Sequence, residues 1–419
     1  MRRFAVRWPI AHFDRRSQRK KILKTHEGTA DASAAKFAVC GITETIRRAL
    51  ASAGLDTHSE PVKGVADTIE NALSAAGLMQ RRDTPEPRSM AIDSTATRID
   101  TSTDDDVPTA RASIEQEDVI VEPKPDVRDR PRGEFLERSF SSAGGARKYK
   151  VYIPAGYSAT SGDPVPMIVM LHGCTQSPDD FAAGTRMNRL ADIHGFVVVY
   201  PAQSANANLQ KCWNWFRTED QARESGEPAI IAGITREIAS AYRIDPRRIF
   251  VAGMSAGAAM AVVLGATYPD LYGAIGAHSG LAYRAAHDMP SAFGAMHGGA
   301  TASPATSTSL PTIVFHGDSD RTVAARNAAT IVEHVVAGHD RVSLGREVTT
   351  ETAAGGRKYT RTTFTNASKQ VVAEHWTLHG AGHAWSGGSS AGSYTDAQGP
   401  DASKEMIRFF HSVPRAGSA

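Results

Sequence analysis

Arg248-Ile249-Phe250-Val251-Ala252-Gly253-Met254-Ser255-Ala256-Gly257-Ala258-Ala259-Met260-Ala261 is the stretch that decides the fold. The apolar run 249–252 is typical of a buried strand, and the run rich in Ala, Met, Val and Leu that continues to Leu264 predicts a helix. Between them stands Gly-x-Ser-x-Gly, where a serine on a tight strand-to-helix turn needs small residues two positions before and after it. Ser255 is therefore the candidate nucleophile, against the alternative of a glycine-rich turn without chemical significance.

Length and composition limit the classes of protein. The 419 residues carry a formal net charge of +2 and 41% apolar residues, which suits a large α/β domain with an extension and gives no overall case for a nucleic-acid partner. The sequence contains no run of about 18 apolar residues, so no transmembrane segment is predicted. We find no ordinary secretory signal, because charged residues at 14–16 precede any sufficiently long apolar run. Three cysteines are too few for a disulfide scaffold.

Residues 1–132 differ from the rest and are expected to form a low-complexity extension. The basic opening, 1–24, fits a solvated tail, with a docking arm for an anionic surface as the alternative. Apolar residues then recur every four positions in two segments, 42–50 and 65–73, which predicts two short amphipathic helices. Residues 81–132 are rich in Asp, Thr, Ser, Pro and Arg, a composition that predicts a disordered linker.

Residues 133–413 show the pattern of one α/β domain. Two antiparallel strands are predicted at 135–140 and 148–153, joined around Gly144-Gly145. Further strands are predicted at 167–171, 196–200, 249–252, 274–277, 312–315 and 374–378. Helices are predicted at 181–193, 230–242, from Ala256 to Leu264, and at 404–410. Short apolar strands that alternate with helices indicate a mostly parallel sheet covered by helices on both faces, with ligands bound beyond the carboxyl ends of the strands.

Two loops at such strand ends supply an acid and a base for Ser255. The loop after 312–315 contains Asp318 and Asp320, and the loop after 374–378 contains His379 and His383, so the chain order is serine, acid, histidine, as in α/β-hydrolases. Asp318 can cap the turn, whereas Asp320 lies further into the loop. His383 stands between small residues that let its imidazole approach the serine. We predict a catalytic triad of Ser255, Asp320 and His383.

An acyl-transfer site also needs N–H groups directed at the developing oxyanion. The N–H of Ala256, next to the nucleophile, is one candidate. The other is the N–H of Cys174 in Leu171-His172-Gly173-Cys174-Thr175-Gln176, where Gly173 permits close approach of the backbone. The sequence therefore predicts an oxyanion hole formed by Cys174 and Ala256.

Seven short strings together carry a resemblance to a known family. They are Leu-His-Gly-Cys-Thr-Gln (171–176), Tyr-Pro-Ala-Gln (200–203), Cys-Trp-Asn-Trp-Phe (212–216), Gly-Met-Ser-Ala-Gly (253–257), Tyr-Pro-Asp (268–270), His-Gly-Asp-Ser-Asp (316–320) and Gly-His-Ala-Trp-Ser-Gly-Gly (382–388). Over about residues 133–413 the chain resembles the polyhydroxybutyrate (PHB) depolymerase-type esterases. The resemblance implies an α/β-hydrolase fold, no metal or organic cofactor, and hydrolysis of poly(3-hydroxybutyrate) or related short-chain esters. It supports the predicted triad and oxyanion pair.

The same resemblance suggests further roles for residues in the quoted strings. It implies a disulfide between Cys174 and Cys212, with two reduced, buried cysteines as the alternative, while Cys40 is expected to be a free thiol. Gln176 is predicted to bind substrate. Apart from the resemblance, four aromatic residues flank the site in sequence and are predicted to form an apolar wall for the acyl chain or a platform on a polymer surface, with core packing as the alternative: Trp213, Trp215, Phe216 and Trp385.

These observations predict a serine esterase that works through an acyl-enzyme and whose partner is an ester substrate, including a polymer surface. A feruloyl or acetylxylan-type carbohydrate esterase is the alternative within the hydrolases. A non-catalytic protein that binds granules or surfaces is the alternative from another class, and the intact serine, aspartate and histidine argue against it. The resemblance favours an extracellular location, whereas the lack of a recognisable signal favours the cytoplasm.

Overall fold

The computed structural model describes residues 133–413, except 143, 300–307 and 340–342. The basic tail, the two short helices, the linker and Cys40, all predicted within 1–132, lie outside the described residues. In the part of the chain that is described, no helix is both long and apolar enough to cross a membrane.

A ten-stranded sheet organises the described residues, with the strand order β1-β2-β4-β3-β5-β6-β7-β10-β9-β8. Its strands are β1 Glu134–Ser142, β2 Gly145–Ile153, β3 Val165–Leu171, β4 Val197–Pro201, β5 Ile244–Met254, β6 Ala274–His278, β7 Thr312–Gly317, β8 Gly345–Thr352, β9 Lys358–Thr365 and β10 Val371–Leu378. The six central strands, from β4 to β10 in the strand order, are parallel, and an antiparallel hairpin flanks them at each edge. A short second sheet pairs β11 Trp385–Ser386 with β12 Thr395–Asp396.

Helices cover both faces of the large sheet. They are α1 Pro178–Thr185, α2 Met187–His194, α3 Gly226–Ala241, α4 Ala256–Thr267, α5 Met289–Gly298, α6 Arg326–Ala337 and α7 Ala402–Ser412, with a 3₁₀ turn at Thr218–Gln221. On one face α3, α4, α5 and α6 share a core with Val251, and on the other α1, α2 and α7 share a core with Phe250 and Ala252. Consecutive residues of β5 are thus buried on opposite faces, which explains why this strand is apolar throughout. The predicted mostly parallel sheet with helices on both faces is confirmed.

The single helix predicted over 181–193 is wrong, because the structure has two helices there. Arg186 takes a left-handed backbone (φ 55°), and its N–H bonds the carbonyl of Ala182 to end α1 before α2 begins. The Arg186 guanidinium also donates to the carbonyl of Gly387, 2.5 Å away, so a contact distant in sequence holds the break. Apolar residues continue in helical spacing across Arg186 and conceal it.

Six further helices and strands were not predicted: α5, α6, the hairpin β8–β9 and the short strands β11 and β12. The start of α5 does carry a local signal, because Asp288 caps it and Pro290 stands in its first turn. The hairpin β8–β9 has little such signal in its sequence, because its strands are rich in Thr and charged residues and are only half-buried or exposed.

Candidate active site

The turn between β5 and α4 holds Ser255 in a strained backbone. Its φ is 56° and its ψ is −123°, a conformation that non-glycine residues seldom adopt, and its N–H donates to the carbonyl of His278 at 2.9 Å. A Cβ at Gly253 would lie 2.6 Å from the carbonyl oxygen of Leu171, and one at Gly257 would overlap the same oxygen. Both glycines of Gly-x-Ser-x-Gly are therefore needed for the close approach of α4 to β3.

Asp320 and His383 meet in the loops that follow β7 and β10. The Nδ1 of His383 lies 2.7 Å from Oδ2 of Asp320, whose side chain is 0% exposed, while that of His383 is 13% exposed. The other carboxylate oxygen accepts from the N–H groups of Thr322 at 2.8 Å and Val323 at 2.9 Å. Because a carboxylate only accepts, Nδ1 donates and Nε2 of His383 carries the lone pair of a general base.

Burial raises the pKa of Asp320, but hydrogen bonds outweigh that effect. His316 and His383 hydrogen-bond its carboxylate, and with the N–H of Val323 they hold the pKa well below the usual range of an aspartate. Asp320 is consequently ionised wherever the protein is folded near neutral pH, as the partner of an imidazolium must be.

The two residues that the sequence left as competitors also form a pair. Asp318 Oδ2 lies 2.9 Å from Nδ1 of His379, and its Oδ1 accepts from the N–H of Gly380 at 2.7 Å. The other nitrogen of His379 lies 2.9 Å from Oγ1 of Thr360, so both imidazole nitrogens have partners. This half-exposed pair joins the loop after β7 to the loop after β10, next to the buried pair of Asp320 and His383.

The loop after β3 lies against the nucleophile. A Cβ built on Gly173 would be 3.6 Å from Cβ of Ser255, so the N–H of the next residue, Cys174, is close to the serine. The sulfur atoms of Cys174 and Cys212 are 2.04 Å apart and form a disulfide. Ala256 is the first residue of α4, where an N–H has no acceptor within the helix. Cys174 thus follows a glycine that packs against Ser255, and Ala256 follows the serine directly; their role as oxyanion donors stays a prediction.

Gln176 is placed as a brace rather than as a group that faces substrate. Its buried side chain accepts from the N–H of Gly173 at 2.9 Å, and its amide nitrogen donates to Asp180 at 2.8 Å and to the carbonyl of Ser393 at 3.3 Å. These bonds occupy its polar atoms, so the predicted substrate contact does not fit. The structure instead assigns Gln176 to holding the loop after β3.

The three predicted tryptophans are buried, which also corrects the predicted wall. The indole N–H of Trp213 donates to the carbonyl of His172 at 3.1 Å, and that of Trp385 donates to Oγ of Ser403 at 3.1 Å. Trp215 packs edge-on against Phe216 in the core. The core-packing alternative therefore describes them, because each presents less than a tenth of its surface to solvent.

Three buried histidines around the site were not singled out from the sequence. His172 has Nδ1 2.7 Å from the carbonyl of Gly173, while its Nε2 accepts from the N–H of Gln203 at 3.1 Å. His278 accepts from the N–H of Ser386 at 3.0 Å. Burial lowers the pKa of His172 to about 4 and that of His278 to about 3, so both are neutral hydrogen-bonding groups.

The third buried histidine, His316, contacts the acid. Its Nε2 lies 2.8 Å from the carbonyl of Val323 and 3.4 Å from Oδ2 of Asp320. Each of the three histidines stands at or next to the carboxyl end of a strand, which was the signal available in the sequence. Across the described ranges, no cluster of three or more His, Cys, Asp or Glu residues has the arrangement of a metal site.

A family model described as Esterase PHB depolymerase matches residues 147–358, half of the chain. The chain belongs to this family of PHB depolymerase esterases. The matched segment includes Cys174, Ser255 and Asp320, while His383 follows it.

Relatives and a solved structure agree with this family. The chain is 33% identical over 245 residues to poly(3-hydroxyalkanoate) depolymerase C of Paucimonas lemoignei, a match that covers 55% of this chain and 57% of that protein. It is 28% identical over 273 residues to the poly(3-hydroxybutyrate) depolymerase of Ralstonia pickettii, covering 59% and 54%. The chain thus spans little more than half the length of these relatives.

The acetyl xylan esterase from Aspergillus awamori superposes with a TM-score of 0.52 at 19% identity, over 67% of this chain and 99% of that one. A likeness at this identity concerns the fold alone. With the strand order of the large sheet, it confirms the α/β-hydrolase fold expected from the sequence.

Proposed function

We propose that the chain is a serine esterase that cleaves carboxylic esters through an acyl-enzyme. The observation that carries the proposal is the buried Asp320–His383 pair, 2.7 Å apart, in a domain whose Ser255 stands on a strained strand-to-helix turn. Asp320 fixes the tautomer of His383 in which Nε2 carries the lone pair, which is the form that a general base requires. Membership of the esterase family supports the same assignment.

In the proposed mechanism, Nε2 of His383 takes the proton of Ser255 as Oγ attacks the ester carbonyl. The N–H groups of Cys174 and Ala256 stabilise the oxyanion, each contributing roughly two to three powers of ten in rate. His383 then protonates the departing alcohol, which leaves an acyl group on Ser255. Water, deprotonated by the same nitrogen, attacks the acyl carbon and releases the acid, while Asp320 stabilises the imidazolium in both halves of the reaction.

We further propose that the substrate is poly(3-hydroxybutyrate) or a related ester of short-chain hydroxyacids. The names of the two relatives, a poly(3-hydroxyalkanoate) and a poly(3-hydroxybutyrate) depolymerase, support this choice. No charged side chain of the loop Gly173–Gln176 directs the site toward a charged ester, since that loop carries only neutral residues.

Release of hydroxyacid from amorphous poly(3-hydroxybutyrate) by the full-length protein tests both proposals. The same preparations are assayed on p-nitrophenyl butyrate and methyl ferulate, with Ser255→Ala as the inactive variant and Ser319→Ala, an exposed serine of the acid loop, as its matched control. We expect Ser255→Ala alone to abolish hydrolysis of the polymer and of the butyrate. Cleavage of small esters without the polymer would reject the substrate, and activity retained by Ser255→Ala would reject the mechanism.

A further inference from the structure

Two exposed apolar side chains stand beside the loop that carries the proposed oxyanion donor. Leu209 is 90% exposed and Tyr394 is 48% exposed. Single exposed apolar residues are common on protein surfaces and need no explanation. These two differ because Thr175, next to Cys174, contacts the segments of both: its N–H donates to the carbonyl of Gln210 at 2.6 Å, and its Oγ1 lies 3.2 Å from the hydroxyl of Tyr394.

Tyr394 links the oxyanion loop to the loop of the catalytic histidine. Its carbonyl accepts from the N–H of Trp385 at 2.7 Å, two residues after His383, while its phenol reaches Thr175. Its backbone has a φ of 51°, an uncommon and costly conformation for an aromatic residue. The structure therefore holds an aromatic ring in strained backbone, half in solvent, between two loops of the site.

Leu209 is presented on an equally fixed backbone. The side chain of Asn208 accepts from the N–H groups of Gln210 at 3.0 Å and Cys212 at 3.3 Å, and Cys212 is bonded to Cys174. Thr175 itself has a φ of 66°, which is rare for a β-branched residue. Because these loops are held in place, the apolar side chain of Leu209 cannot be removed from solvent by collapse of its own segment.

The loop after β3 connects this rim to the nucleophile. Gly173 approaches Ser255 to 3.6 Å when a Cβ is built on it, and Thr175 follows two residues later. A substrate carbonyl held by the N–H of Cys174 consequently has the rest of its chain next to Thr175. Thr175 is itself exposed, and Leu209 and Tyr394 are exposed on the segments that contact it; these three residues are here called the rim subsite.

We propose that the rim subsite binds the hydroxyacyl units next to the scissile bond of a polyester chain; this inference rests on the proposed function. Each unit of such a chain offers methyl or methylene groups to Leu209 and to the ring of Tyr394, and a carbonyl that accepts a hydrogen bond. The single proton of the Thr175 hydroxyl is directed to the carbonyl of Cys174, 2.6 Å away, so the phenol is the donor in its contact with Thr175. That O–H can turn to a substrate carbonyl.

The test compares a substrate that reaches the rim subsite with one that does not. Linear (R)-3-hydroxybutyrate tetramer extends beyond the scissile unit, whereas p-nitrophenyl acetate does not. We expect Leu209→Ser to lower kcat/KM for the tetramer about tenfold and to change it less than about twofold for the acetate. Tyr394→Asn also loses the contact with Thr175, so we expect it to lower the value for the tetramer about tenfold more than the value for the acetate. Asparagine tolerates the positive φ of Tyr394, so its variant keeps the backbone. Tyr394→Phe, which keeps the ring, should retain more activity on the tetramer.

Ile193→Ser is the matched control, because Ile193 is 52% exposed on α2, an element that carries no residue of the rim subsite. Equal losses on both substrates, or none on either, would overturn the subsite. A wild-type protein that cleaves the acetate but not the tetramer would reject the subsite and leave the esterase mechanism standing, whereas one that cleaves neither would reject both.

Discussion

Substituting Gln176 distinguishes two roles for this residue: binding the substrate, or holding the loop after β3 in place. The Gln176→Met variant keeps the length of the side chain and removes all of its hydrogen bonds. The N–H of Gly173 then loses its acceptor at 2.9 Å, and Asp180 loses a donor at 2.8 Å. If Gln176 bound substrate instead, the same variant would raise KM and leave the stability of the free protein unchanged.

The structure allows the size of the effect to be worked out. A buried N–H left without an acceptor costs about 1–3 kcal/mol, and a lost hydrogen bond to a charged group costs a similar amount. Asp180 keeps two bonds from Ser393, at 2.6 and 2.8 Å, which limits the second contribution. We expect a loss of roughly 3 kcal/mol in the free energy of unfolding, which corresponds to a fall in Tm of about 6–12 °C for a domain of this size.

Catalysis should fall with stability, because Gly173 precedes the donor Cys174. Displacing one oxyanion donor lowers the rate by up to two or three powers of ten, and a loosened loop should cause part of that loss. We therefore expect kcat on p-nitrophenyl butyrate to fall about tenfold or more. The KM should change less than about threefold. Thermal unfolding and steady-state kinetics of the same preparations provide the measurement. An unchanged Tm together with a raised KM would refute the brace.

Gln176→Glu adds a check on the partner. The new carboxylate keeps an acceptor for Gly173 but faces Asp180 where the amide N–H donated. Two carboxylates at this distance cannot both ionise, so one must take up a proton on folding. A group protonated in the folded state loses its stabilising effect as pH rises, and the variant should therefore approach wild-type stability at about pH 5 and fall below it at about pH 8. Equal deficits at both pH values would contradict the contact with Asp180.

Three further substitutions test the predicted acid Asp320, the second histidine that contacts it, His316, and the buried carboxyl of Asp220. Asp320→Asn should lower kcat about 10⁴-fold, because the amide favours the wrong tautomer of His383. Asp318→Asn is the control in the same loop and should retain activity within about threefold. Comparable losses in the two variants would reject Asp320 as the acid of the triad. His316→Phe removes the N–H at 3.4 Å from Asp320, which helps to hold the acid in place, so kcat should fall, but by far less than in Asp320→Asn; an unchanged kcat would contradict this. Burial raises the pKa of Asp220 to about 6, so the ionisation of this carboxyl opposes folding as pH rises from about 4 to 6. Asp220→Asn should therefore raise the free energy of unfolding by on the order of 2 kcal/mol at pH 8 and leave it unchanged at about pH 4, as measured by denaturant titration.

The parts of the site that the sequence predicts are those encoded by short-range patterns. Gly253 and Gly257 flank Ser255 because any larger residue would clash with the carbonyl of Leu171. A pattern of only five residues is therefore enough to predict the turn that carries the nucleophile. The strand before Asp320 contains an apolar run, and the parallel sheet brings its carboxyl end and that of the strand before His383 to one edge. Chain order and strand ends selected the two loops, and the positions of Asp320 and His383 within those loops led to the pair that the structure shows.

The predictions about side-chain orientation failed for a physical reason. Trp213, Trp385 and Gln176 stand beside catalytic residues in sequence, and proximity along the chain does not reveal which way a side chain points. A tryptophan whose N–H finds a buried acceptor gains more from the core than from solvent. The acceptors for these two, the carbonyl of His172 and the hydroxyl of Ser403, lie 41 and 18 residues away, so no local pattern contained them.

The geometry of the site depends on hydrogen bonds between distant segments. Gln176 reaches Ser393 across 217 residues, and His278 reaches the N–H of Ser386 across 108. A flexible chain closes loops of this length at an entropic cost that rises only slowly with length, so such contacts form once the sheet has brought the strand ends together. The sheet therefore determines where the catalytic loops lie, and these buried contacts determine how closely each loop approaches the serine. Substitutions at such positions should alter the rate while the catalytic residues themselves stay unchanged, which is why Gln176 gives the sharpest test.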